Sequence, residues 1–263
     1  MKSLCICPLA LLFLSSPLYS QRVLPAGLDV RFGGVVRTDA SLKQISLVFT
    51  GHEFADGGEM ILTILRKHDV KAAFFFTGDF YRNSRFAPLI SSLKEAGHYL
   101  GAHSDKHLLY CSWEKRDSLL VTKHQFQSDL HANYAEMETF GVTKIEARYF
   151  LPPYEWYNDS ISTWTRELGL TLVNFTPGSS SNADWTHPEL GAQYVSTDTI
   201  YSRILQHESS SRSGLNGFIL LLHIGADPRR PDPFTMRLDE LLVELKRRGY
   251  TFASLNHTIR LTD

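Results

Sequence analysis

The chain has 263 residues, 43% of them apolar, which is enough for one sizeable core and points to a single domain. Lysine and arginine number 27 against 28 aspartates and glutamates, so no excess of positive charge argues for nucleic acid or an anionic membrane surface as the partner. Of three cysteines, Cys5 and Cys7 fall in the first 20 residues, and Cys111 alone remains for any later pairing, which excludes an internal disulfide once those residues are removed.

Residues 1–20 carry Lys2, an apolar stretch over 9–14 and small residues before Gln21, the pattern of a secretory signal peptide. The stretch is shorter than the roughly 20 residues of a membrane span and is interrupted by Pro8 and Pro17, so the expectation is an exported protein, periplasmic or secreted, with no span after signal removal. Residues 21–42 have no strong period and read as a lead-in that adds an edge strand or covers the bottom of the fold. From 43 to 258, apolar strand-like runs alternate with amphipathic helical stretches. Strands are predicted over 45–50, 72–76, 99–103, 149–151, 170–175, 218–223 and 251–254, and helices over 58–68, 86–96, 123–140, 159–168, 197–208 and 236–248. Gly97, Gly141, Gly169 and Gly249 follow four of these helices, where a left-handed terminating residue is needed. About seven strands in βα repeats fit a barrel better than an open sheet. Two longer irregular segments, 108–122 and 176–196, have the length of binding loops, and within the second 179–181 reads as solvated surface.

The run Gly101-Ala-His-Ser-Asp-Lys-His107 sets His103 and His107 at i and i+4, a spacing that shares one helix face. Two neutral imidazoles so placed can hold one divalent cation if a third side chain arrives from elsewhere. The preceding residues, His98-Tyr-Leu-Gly-Ala-His103, form a strand whose carboxyl end delivers the pair, the end at which α/β enzymes gather their chemistry.

Taken in order, the carboxyl ends of the strands carry Gly51-His-Glu-Phe-Ala-Asp-Gly57, His103-Ser-Asp-Lys-His107, Phe150-Leu-Pro-Pro-Tyr154, Asn182-Ala-Asp-Trp185 and Leu220-Leu-Leu-His223. This order resembles the polysaccharide deacetylase family, also called the NodB-homology or carbohydrate esterase family four domain. The resemblance implies a distorted (β/α) barrel and a divalent metal ion, zinc in the first place with cobalt or nickel as alternatives. It implies hydrolysis of N- or O-acetyl groups on an acetylated oligo- or polysaccharide. On the matching positions, His103 and His107 would be metal ligands and His223 the general acid, with the Tyr154 backbone N–H in the oxyanion site. Trp185 and Trp156, with Asp184 and Glu155, would line the substrate pocket.

Two of the motifs depart from the family pattern. The first usually reads Thr-Phe-Asp-Asp-Gly, supplying a base and a metal ligand, and two registers compete for it. One makes Asp56 the ligand and puts Ala55 where the base belongs; the other makes His52 the third ligand and leaves Asp56 to cap the following helix with Glu59. In the third motif, Leu151 stands where the family has an arginine that pairs with the catalytic aspartate. Glu53 is the first choice for a substitute base, with Glu155 and Asp105 as alternatives. The competing reading is a barrel that binds carbohydrate without turnover, using Trp113, Tyr154, Trp156 and Trp185 as a platform.

Overall fold

The computed structural model describes residues 25–259. The expected signal segment therefore lies outside the described residues. An N-terminal antiparallel hairpin, β1 (Asp29–Arg31) and β2 (Gly34–Arg37), leads into β3 (Gln44–Gly51), α1 (Gly58–Lys67), β4 (Ala73–Phe76), α2 (Gly78–Arg82), α3 (Ala87–Glu95) and β5 (Tyr99–Ala102). The chain continues through α4 (Lys123–Thr139), β6 (Tyr149–Phe150), α5 (Asp159–Glu167), β7 (Thr171–Leu172), α6 (Thr197–Ser210), β8 (Phe218–His223), α7 (Thr235–Arg247), β9 (Thr251–Phe252) and α8 (Leu255–Thr258). All seven predicted strands are present, although β6, β7 and β9 are only two residues each.

The sheet runs β1-β2-β8-β3-β4-β5-β6-β7, with β9 pairing the start of β3. Strands β8, β3, β4, β5, β6 and β7 are parallel, and β2 joins β8 antiparallel. A parallel bridge from Val35 to Val173, supported by the Asn174 N–H to Val35 carbonyl bond of 2.8 Å, brings β2 back to the far edge. The result is a distorted (β/α) barrel in which the lead-in supplies the closing strand. Closure removes the free edges that an open sheet would expose.

Alternation along the strands divides the core in two. Ile45, Leu47 and Phe49 of β3, with Phe74 and Phe76 of β4, face the helices and pack on Ile61, Leu65, Leu241 and Leu245. Val48, Ala73, Phe75, Tyr99, Ile219 and Leu221 face inward and fill the barrel. Burial on both faces explains why β4 is an unbroken apolar run with no alternation in polarity. A side chain at Gly101 would stand 2.5 Å from the Phe75 ring, so glycine there makes room for the interior aromatic. The floor is closed by Leu255 and Ile259 of the C-terminal α8 region, tied down by Tyr149, whose hydroxyl donates to the Ile259 carbonyl at 2.5 Å. The lead-in thus adds a strand, while the bottom is covered from the opposite terminus.

The six predicted helices are present, and their four following glycines take positive φ. Helix α2, five residues long, escapes the periodicity because it is barely one turn; the Thr77 hydroxyl caps it by accepting from the Phe80 N–H at 3.1 Å. The expected solvated stretch at 179–181 is instead packed: Ser179 and Ser181 are fully buried within the loop that precedes α6. No helix among the described residues is long and apolar enough to cross a membrane.

Candidate active site

The carboxyl ends of β3, β5, β6 and β8 gather four imidazoles, His52, His103, His107 and His223, with Asp184, Glu155 and Tyr154 around them. His103 directly follows β5. Its Nδ1–H donates to the Leu151 carbonyl at 2.7 Å, which fixes the tautomer and leaves Nε2 with a free lone pair. Its backbone N–H donates to the Asn133 side-chain carbonyl at 2.9 Å, and the same amide donates to the Phe76 carbonyl at 3.2 Å, so one buried residue of α4 ties together the ends of β4 and β5. Burial pushes the His103 pKa down to about 3, and the ring is neutral at ordinary pH.

His107 does not sit on a helix. Ser104 and His107 both have positive φ, and the backbone between them is drawn sideways, with the Gly78 and Asp79 N–H groups bonding the Ser104 and Asp105 carbonyls. Asp105 is locked by Arg82 at 2.7 Å, a commitment that removes it from the candidates for the base. The turn nonetheless achieves what a helical turn would have done: the His103 and His107 rings are 5.1 Å apart. Burial, followed by the neighbouring imidazoles, holds the His107 pKa near 2.

His52, after the end of β3, stacks on His107 with ring centroids 4.7 Å apart and planes within 9° of parallel. Its Nδ1 lies 3.0 Å from the Thr77 hydroxyl, so the residue that caps α2 also orients this ring. The two neighbouring carboxylates point elsewhere. The Glu53 side chain is 68% exposed and only grazes His52 Nε2 at 4.0 Å. Asp56 is exposed; its Oδ1 accepts from the Ala226 N–H at 3.0 Å, and it does not cap α1, whose N-cap is Gly57 with no side-chain bond.

His223 ends β8 and is clamped by Asp184: Oδ2 accepts from the His223 backbone N–H at 2.8 Å and Oδ1 meets Nδ1 at 2.6 Å. Asp184 thereby engages the histidine through both carboxylate oxygens. Burial lowers the His223 pKa, but the opposing charges of Asp184 and Glu155 outweigh it and leave the pKa above its ordinary value. The dyad stands on the loop before α6, which Arg230 braces with a fully buried side chain bonding the Thr186 and Val195 carbonyls and the Thr197 hydroxyl.

Between β6 and α5, the two prolines lead into a tight turn in which Tyr154 and Glu155 both take left-handed φ, 59° and 53°. The Tyr154 ring lies 4.4 Å from His107. Glu155 is half-buried as a residue, but burial of its carboxylate pushes the pKa up to about 6 against the opposing influences of His223 and a hydrogen bond from Asn182. Leu151, the position without an arginine, fills the top of the barrel interior. Trp156 is an anchor: its Nε1–H donates to the Ser112 carbonyl at 3.1 Å and Arg116 stacks 3.4 Å from its ring. Trp113 packs against both Tyr154 and Trp156 and stays exposed, as does Trp185.

Neutral imidazoles suit a borderline divalent cation such as zinc, and the Nδ1 bond of His103 to a carbonyl is the outer support such ligands use. As placed, no three His, Cys, Asp or Glu groups among the described residues stand at metal-holding spacing. In the His52–His107 pair, the in-plane lone pairs of parallel rings do not converge, so a cation shared by these two requires a tilt of either ring. Asn133 and Thr77 are positioning residues that the sequence reading missed. An asparagine in the middle of a long helix, where it is a poor helix former, was the one available signal for Asn133.

A family model described as polysaccharide deacetylase matches residues 41–173. A peptidoglycan-N-acetylglucosamine deacetylase of Bacillus cereus is 26% identical over 202 residues, covering 76% of this chain and 80% of that protein. Among solved structures, a carbohydrate esterase family 4 pseudoenzyme from Bacillus anthracis aligns with a TM-score of 0.66 at 19% identity, covering 88% of this chain and 70% of that one. A family 4 acetyl xylan esterase from Clostridium thermocellum, in complex with a cobalt ion, aligns at 0.62 with 22% identity, over 82% of this chain and 89% of that one. At those identities the structural likeness establishes the fold.

Proposed function

Because the chain belongs to the polysaccharide deacetylase family, we propose that it hydrolyses acetyl groups from an acetylated oligo- or polysaccharide outside the cytoplasm, with a divalent cation, zinc first, held by His52, His103 and His107. The observation that carries this reading is the His223–Asp184 dyad, 2.6 Å long, standing beside three clustered imidazoles at the carboxyl end of the barrel. When bound, the cation would supply Lewis acidity to the acetyl carbonyl and acidify water. The chain's own groups do the rest. His223, whose proton affinity Asp184 and Glu155 raise against the effect of burial, gives its proton to the departing nitrogen or oxygen as the acyl bond breaks. Asp184 keeps the imidazole oriented, the role of the buried carboxylate in any acid–base dyad. The Tyr154 N–H, in the turn stiffened by Pro152 and Pro153, is the oxyanion donor in this reading. Exposed Trp113, Tyr154 and Trp185 offer apolar faces to sugar rings.

A second reading, a barrel that binds glycan without turnover, is favoured by one specific observation: of the β3–α1 carboxylates, Asp56 is turned to the Ala226 N–H, and Glu53, 68% exposed, comes no nearer than 4.0 Å to His52. Acetate release from acetylated glucosamine oligomers, peptidoglycan fragments and acetylated xylan, measured with metal-loaded protein, separates the two. Release supports the hydrolase. Tight binding of the same oligomers with no release would establish the binding barrel.

A further inference from the structure

We propose that Glu155 is the general base of this site, taking the proton that Asp56 of the β3–α1 loop, turned to the Ala226 N–H, is not placed to accept. The assignment rests on the deacetylase reading above. It begins with the backbone. Tyr154 and Glu155 are consecutive non-glycine residues in the left-handed region, at φ 59° and 53°. A glycine would sit at 155 without strain, and strain of this kind persists where the surrounding structure holds it for a purpose. The turn is held from outside: Asn174 donates its side-chain N–H to the Glu155 carbonyl at 2.7 Å. The turn stands against the imidazole cluster, since the adjoining Tyr154 ring lies 4.4 Å from His107, and Asn182, His223 and Asp184 are the groups that influence the Glu155 carboxylate.

The other nearby carboxylates are committed or remote. Asp184 is engaged by His223 at both oxygens, Asp105 is paired with Arg82, Asp56 accepts from Ala226, and Glu53 faces solvent. Glu155 alone combines enclosure with a place beside the general acid. Burial raises its pKa toward the operating range of a base, a property that supports the geometry and does not replace it.

The step balances as follows. Water loses one proton to Glu155 as its oxygen bonds the acetyl carbon. The C–N or C–O bond then breaks while the leaving atom takes a proton from His223, giving acetic acid and the free amine or hydroxyl. Glu155 is left protonated and His223 neutral; Glu155 gives one proton to solvent and His223 takes one from it, which restores both.

The test compares Glu155→Gln and Glu155→Gly with the parent in acetate release, oligosaccharide affinity, bound metal and melting temperature. Both variants should lose roughly 100-fold or more in kcat while affinity and metal content stay within a few-fold. Glu155→Gly should also melt higher than the parent, because the strained φ and the buried carboxylate are removed together. If Glu155→Gln or Glu155→Gly turns over within a few-fold of an active parent, the base lies elsewhere and the deacetylase reading survives. If the parent itself releases no acetate from any oligomer it binds, the deacetylase reading falls and this assignment falls with it.

Discussion

His103 illustrates how much of the site is built by groups that are not themselves reactive. Three contacts hold it: Leu151 through Nδ1, Asn133 through the backbone N–H, and the His107 ring. Loss of either imidazole should empty the site, since water does not replace a ligand without a large loss of affinity. His103→Ala and His107→Ala are therefore expected to hold no stoichiometric zinc-like ion by elemental analysis, with circular dichroism unchanged; full metal content in a folded variant would remove the cluster from consideration. His52→Ala is expected to lose metal as well, and Asp56→Ala to retain it, because Asp56 spends its oxygen on Ala226. The opposite pattern would restore the aspartate register. The histidines of this site were legible in the sequence because they fall at strand ends in a fixed order. The task of Asp184 and the orientation of Glu155 were not, because each depends on contacts with residues tens of positions away and, for Glu155, on a backbone turn that no periodicity reports.

Among the elements, the loop before α6 is the one that reads least like a surface excursion. Its own Ser179 and Ser181 are buried, Asp184 reaches from it to His223, and Arg230 is sunk among its carbonyls. Arg230→Met would leave those carbonyls without donors in the interior, a loss on the order of 3 kcal/mol. A fall in melting temperature together with slower acetate release is expected, because the same loop carries Asp184; unchanged melting and turnover would mean the brace is dispensable. The seven parallel strands and six longer helices were readable because burial on one or both faces imposes a period or an unbroken apolar run. The closing hairpin was legible only as one of two roles for the lead-in and α2 not at all, since elements of three to five residues carry too little pattern and owe their form to the barrel edge and to Thr77.

For the whole molecule, the barrel depends on buried groups that must stay uncharged at its lower end as well as at the site. His98, before β5, accepts from the Ala72 N–H at 3.2 Å and packs edge-on to Phe74. Burial, with smaller contributions from Lys71 and Arg66, pushes its pKa down to about 4 from an ordinary 6.5. Between these values the unfolded chain binds more protons than the folded one, so stability is fully present above the upper value and falls as pH drops through the window. His103 and His107 act in the same direction. In urea unfolding of the metal-free protein, His98→Gln should reduce the stability lost between pH 7 and pH 5 by roughly 2 kcal/mol. An unchanged acid dependence would show that His98 is not the buried base this packing requires. The most direct test of the central claim is acetate release measured while zinc is titrated into metal-stripped protein from none to one equivalent. The expected result is a rate that rises from background in proportion to bound metal, saturates at one equivalent and is absent in His103→Ala. A rate independent of metal, or no release with one equivalent bound and oligosaccharide in place, would contradict it.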